Sequence, residues 1–225
     1  MVLAPTSRVE YVTPNQIGVF RNRTSMVADL AAYLDADGHG DPFFALDPAV
    51  RGTTSLYRDG VVVGMDPSPV AQFAIPSDQF RYRLSLGANG GTVLPAAARS
   101  ATTWAFASRG QSDVPTAVPL LVLGYDAPQT PAGILRGVTM TVTVGPQPDA
   151  VIGRVGTCSV AVSTDGAVTW RAAAVRAART VGAASGFRVT IPRVPVGSAL
   201  TVLVRVADDR GSSVDQVLYD ALRIG

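Results

Sequence analysis

"TTSLYRDGVVVGM", residues 53–65, decides how the whole chain is read. Two short runs rich in β-branched and aromatic residues flank Asp59-Gly60, a dipeptide that accepts the positive φ angles of a two-residue hairpin turn. The stretch therefore predicts two antiparallel strands. Working outward, "FRYRLSLGANGG" (80–91) alternates Tyr82, Leu84 and Leu86 against Arg81, Arg83 and Ser85, as a strand with one buried face does. "ARSATTWAFASR" (98–109) sets Thr102, Trp104 and Phe106 on one face.

The same style continues to the end of the chain. "LLVLGYDAP" (120–128), "GVTMTVTVGP" (137–146), "GTCSVAVSTDGAVTW" (156–170), "GFRVTIP" (186–192), "ALTVLVRVADDRG" (199–211) and "SVDQVLYDALRI" (213–224) read as further strands. Turn signals separate them at the intervals of an immunoglobulin-type sandwich. In "VTMTVTV", Val138, Met140, Val142 and Val144 point one way and the threonines the other. "RAAAVRAARTVGAASG" (171–186) has the alanine content of a helix, but its place between strands predicts strand and loop.

The expected fold class is therefore all-β, as two tandem β-sandwiches of immunoglobulin/fibronectin III-like or jelly-roll-like type. The division falls in "RGQSDVPTAVP" (109–119), which has two prolines and little periodicity, giving domains 1–113 and 114–225. Residues 8–20 read as strand, Pro-Asn turn and strand. One stretch breaks the pattern. In "TSMVADLAAYLDADG" (24–38), Thr24 or Ser25 can cap a helix, and Met26, Leu30, Tyr33 and Leu34 recur at helical spacing. A short helix near 25–35 is expected.

Composition narrows the function classes. The chain has 225 residues, 47% hydrophobic and 16% charged, enough for one large or two small cores. All 19 basic residues are arginine, and Glu10 is the only glutamate among 17 acids. A net charge of +2, with arginines interleaved among aspartates, argues against nucleic acid as a partner. No apolar run approaches the ~20 residues of a membrane helix, so no membrane insertion is expected. "MVLAPTSRVE" lacks the basic and apolar regions of a signal peptide. Cys158 stands alone, so no internal disulfide can form, and its strand-like flanks predict a small buried hydrophobe.

Catalytic sets are poorly represented. Without lysine there is no P-loop, Schiff base or Ser-Lys dyad. Ser25 and His39 echo a nucleophile and a base, but no glycine precedes Ser25 and a helix start favours a capping role for serine. No enzyme activity is expected of this chain. "LDADGHGDPF" (34–43) is the candidate metal loop: Asp35, Asp37 and Asp41 are spaced as calcium ligands, with Gly40 at the sixth position. His39 at position five is a poor ligand for so hard a cation. The competing reading is a solvated acidic turn with Gly38 in a left-handed cap. Trp104 and Trp170 lie in strands with apolar face-mates and read as core residues, against the alternative of ligand-stacking aromatics.

Several of these stretches share a further property. "VSTDGAVTWRAAAV" (162–175) resembles the Asp-Gly-x-x-Thr-Trp hairpin of the non-catalytic C-terminal region in secreted actinobacterial subtilisin-like serine peptidases. "LTVLVRVADDRGSSVDQVLYDALRI" (200–224) is similar to that region's closing strand pair, with Gly-Ser-Ser where Gly-Asn is commoner. "SRVEYVTP" (7–14) resembles its opening strand, "SLYRDGVVVG" (55–64) its Tyr-Arg-Asp-Gly hairpin, and "FRYRLSL", "SATTWAFAS" and "VPLLVLGYDAP" its middle. The aspartate loop has no counterpart there. The resemblance implies an accessory region that stabilises or positions a peptidase catalytic domain outside the cell. That catalytic domain is then the implied partner. The alternative is an extracellular module that contacts cell wall or polysaccharide.

Overall fold

The computed structural model describes residues 18–30, 51–89, 99–128, 130, 134–181 and 184–225. Among them lie seventeen strands and no helix. The first half contributes β1 (Gly18–Arg21), β2 (Ser25–Asp29), β3 (Arg51–Arg58), β4 (Val61–Asp66), β5 (Val70–Ala74), β6 (Phe80–Asn89) and β7 (Arg99–Ser108). From the second half come β8 (Thr116–Ala117), β9 (Leu121–Asp126), β10 (Ile134–Leu135), β11 (Thr139–Pro146), β12 (Val155–Ser163) and β13 (Arg171–Ala172). The last four are β14 (Ala174–Val181), β15 (Ala184–Thr190), β16 (Ala199–Asp208) and β17 (Ser213–Ile224).

They form three sheets. The largest runs β13-β12-β16-β17-β7-β6-β3-β4, with β10 added in parallel on β17. Two four-stranded sheets, β5-β2-β1-β8 and β14-β15-β11-β9, complete the set. Cross-strand register explains the core. Leu56, Leu84, Trp104, Val214, Val206 and Cys158 are successive partners across the large sheet and so point to one face. Met26, Ala28 and Phe73 from one small sheet and Met140, Val142, Val144 and Val189 from the other are buried in the same hydrophobic cluster. Full burial of each leucine, valine, methionine or phenylalanine among them is worth about 1.5–3 kcal/mol.

Polar contacts cross between the sheets. The Trp104 indole donates to the Leu121 carbonyl at 3.0 Å, and the Tyr125 hydroxyl donates to Gln216 Oε1 at 2.7 Å. The boundary expected at 113/114 falls between β7 and β8. Strands from both sides of it share the large sheet, because β17 pairs with β7 along seven residues from Ser213↔Ala105 to Tyr219↔Arg99.

The helix expected near 25–35 is corrected at its start, because Ser25–Asp29 is strand β2, paired with β1 and β5. Met26 and Ala28 are buried while Val27 between them is exposed, which is a period of two. Ser25 does not cap a helix: its backbone N–H and its hydroxyl both donate to Asn22 Oδ1, closing the β1–β2 turn. Residues 31–35 lie outside the described residues. Trp104 is buried as expected, but Trp170 is only half-buried and is not part of the core cluster.

Candidate functional site

The outward face of the large sheet carries a groove. Its geometry follows from alternation, since every residue whose neighbours enter the core points to solvent. Arg51, Asn89, Arg99 and Tyr219 are successive cross-strand partners on β3, β6, β7 and β17 and form one row. Two positions along each strand, Thr53, Gly87, Ala101 and Val217 form the next row. Gly87 and Ala101 carry almost no side chain, so the second row is a trough beside the long side chains of the first. The groove they enclose has a volume of about 320 Å³, and its wall includes Arg51, Arg99, Asn89 and Tyr219.

Charge on this face is one-sided. The outward positions of β3, β6 and β7 hold Arg51, Arg81, Arg83 and Arg99 and no acid. Asp215, an outward carboxylate on neighbouring β17, is paired with Arg205 at 3.3 Å. Two of the arginines are braced by aromatic rings. The Arg99 guanidinium lies 3.7 Å from the Tyr219 ring centroid, and that of Arg83 lies 4.1 Å from Tyr57. Such stacking holds the cation's plane while leaving its edge N–H groups free to donate. Among the described residues neither Arg51 nor Arg99 is in an ion pair.

Other polar groups have structural duties. Arg21 is buried in the core side of β1, where Nη2 donates to the Pro76 carbonyl at 2.8 Å and Nε to that of Asn22 at 3.3 Å. Among the described residues its Nη1 and the buried Tyr82 hydroxyl have no hydrogen-bond partner, and the guanidinium carbon stands 5.6 Å from the Tyr82 ring. Burial pulls the Arg21 pKa below its ordinary value and pushes that of Tyr82 up, each opposed by the other group. Asp165 organises the loop after β12. It accepts hydrogen bonds from the Ser163 hydroxyl at 2.6 Å and from the backbone N–H of Val168 and Thr169, which hold its carboxyl well below the usual range. Cys158 points toward the core beside Val206, and burial pushes its thiol up to about 11, so it is no thiolate nucleophile near neutral pH.

The residues singled out in the sequence are not the ones that line the groove. Asp35, Asp37 and Asp41, with His39, lie outside the described residues. Among the described residues no three His, Cys, Asp or Glu side chains come together as a metal site would need. Sequence reading missed Arg51, Asn89, Arg99 and Tyr219 because they come from four strands and make no local motif. The one local signal was Gly87, an interruption of an otherwise regular strand, which marks a place of open backbone access. No protein-family model matches the chain, and no curated protein matches it.

Proposed function

We propose that this chain is a non-catalytic accessory region of a secreted subtilisin-like serine peptidase, built of β-sandwich units of immunoglobulin type, that stabilises or positions the catalytic domain outside the cell. One observation carries the reading. Three stretches on which the resemblance rests are hairpins of a single sheet: 162–175 joins β12 to β13 beside 200–224, which is β16 with β17, and 55–64 spans β3 and β4 at the other end. The Asp-Gly-x-x-Thr element among them has a physical purpose, since Asp165 ties down its own loop through Thr169. Edge strand β4 exposes Val61 and Met65 to 70% and 65%, an apolar border suited to contact with a neighbouring domain.

Two measurements test this. The reading frame upstream of Met1 should encode a subtilisin-like catalytic domain, and a frame without one sinks the proposal. The isolated chain should leave unstructured casein uncut, because the Ser25 hydroxyl is spent on Asn22; cleavage that disappears in Ser25→Ala would overturn it. A second reading, a module that binds a polysaccharide or other surface polymer, is favoured by the groove on the outward face of the large sheet.

A further inference from the structure

We infer that the groove between Arg51, Arg99 and Tyr219 binds an acidic polysaccharide through the carboxylates of its uronate units. The inference deepens the polymer-binding reading and is independent of the peptidase one. Three features of the site lead to it. First, the Arg99 guanidinium carbon lies over the Tyr219 ring, 3.7 Å from its centroid, a contact that restricts its rotamers before a ligand arrives. A planar guanidinium fixed in this way presents paired N–H groups to a carboxylate with little further entropy loss.

Second, Arg51 and Arg99 stand two strands apart in one cross-strand row, with Asn89 between them. Strand spacing puts their Cα atoms about 10 Å apart. Arg99 leans on Tyr219, on the side of β7 away from Arg51, so a chain with a charge on each unit suits the two guanidiniums better than one small acid does. Third, the floor is made by Gly87 and Ala101, and a Cβ at Gly87 would have no atom within 4 Å. Among the described residues nothing fills the space above Gly87, so the trough offers room for a sugar unit to lie across it. Among the described residues the outward positions of β3, β6 and β7 add Arg81 and Arg83 and no acid, and Asp215 on β17 is paired with Arg205. The small net charge of +2 means that attraction is local to this face and is not a property of the whole chain.

The test is affinity electrophoresis of the full chain in gels containing polygalacturonate, its fully methyl-esterified form, or oligothymidylate. Wild type should be retarded by polygalacturonate and by neither of the others. The pair Arg51→Gln with Arg99→Gln should weaken retention about tenfold, as loss of charge-assisted bidentate contacts does. Gly87→Trp, which has room to fold and fills the trough, should do the same. As a charge-matched control, Arg176→Gln with Arg188→Gln on β14 and β15 should change retention by less than about twofold. Melting curves of all variants should match wild type; if Gly87→Trp unfolds, the arginine pair decides alone. Equal weakening by the control pair, or equal retention by oligothymidylate, would reduce the effect to diffuse charge and overturn the inference. Equal retention by the methyl ester would overturn it too while leaving polymer binding standing. Retention by none of the three removes both.

Discussion

Gln147 lies 128 residues from Val19 in the chain, yet its side chain bonds both backbone groups of that residue. Oε1 accepts from the Val19 N–H at 3.0 Å, and Nε2 donates to the carbonyls of Val19 at 2.9 Å and Val118 at 2.6 Å. The amide is 1% exposed, so no water can replace it. Gln147→Leu leaves the Val19 N–H without this partner, while the Val19 and Val118 carbonyls keep the bonds they accept from the Val118 and Leu120 N–H groups, and urea unfolding should read a loss of about 1–3 kcal/mol. Asp165 provides a titration at the same scale. Its folded pKa is depressed, so the stability it contributes is complete above the unfolded value near about 4 and fades as pH falls through the folded one. The difference in melting temperature between wild type and Asp165→Ala should therefore be constant near neutrality and shrink steadily on acidification below about pH 4. A difference that is unchanged at low pH would mean that the carboxylate's charge plays no part.

At the scale of the element, the β3–β4 hairpin was legible because its turn chemistry is local. Asp59 and Gly60 both have positive φ, 48° and 85°, as the two-residue turn demands. Gly60→Val forces a β-branched side chain into the left-handed region and should cost about 1–2 kcal/mol in thermal unfolding. The strand at 80–89 was equally readable, since Tyr82, Leu84 and Leu86 are buried and Arg81, Arg83 and Asn89 are exposed. β2 was not. Its five residues contain apolar groups that fit either a period of two or one of 3.6, and helix capping by Ser25 looked locally sound. What decided was pairing on both edges, from β1 to one side and β5 to the other, which satisfies the backbone in extended form and puts Met26 opposite Phe73. The segment 171–186 went the other way. Alanine propensity favoured helix, and pairing of β13 with β12 and of β14 with β15 overruled it.

At the scale of the molecule, the large sheet takes β3, β4, β6 and β7 from the first half and β10, β12, β13, β16 and β17 from the second. Trp104 in the first half donates to Leu121 in the second, within a core to which all three sheets contribute. Separating the halves would break the β7–β17 ladder and expose that core, so a single cooperative transition is expected. Single-tryptophan variants check it: Trp170→Phe leaves Trp104 as reporter and Trp104→Phe leaves Trp170. The unfolding curves that each pair of probes, fluorescence and far-UV circular dichroism, reports for one variant should coincide. Two midpoints within one variant would instead mean two independently folding domains.

The sequence by itself determined the strand content, the hairpin turns and the inward faces, because alternation and turn chemistry act between residues a few positions apart. It also carried the ordered motifs of the peptidase-like resemblance. Only the tertiary structure decided that 25–29 is a strand, that β17 joins β7 in one sheet, and that Arg51, Asn89, Arg99 and Tyr219 share a row. Those outcomes depend on which strands pair and in what register. A shift of one residue would turn every side chain of a strand to the opposite face, and the choice is made by burial of the whole core at once.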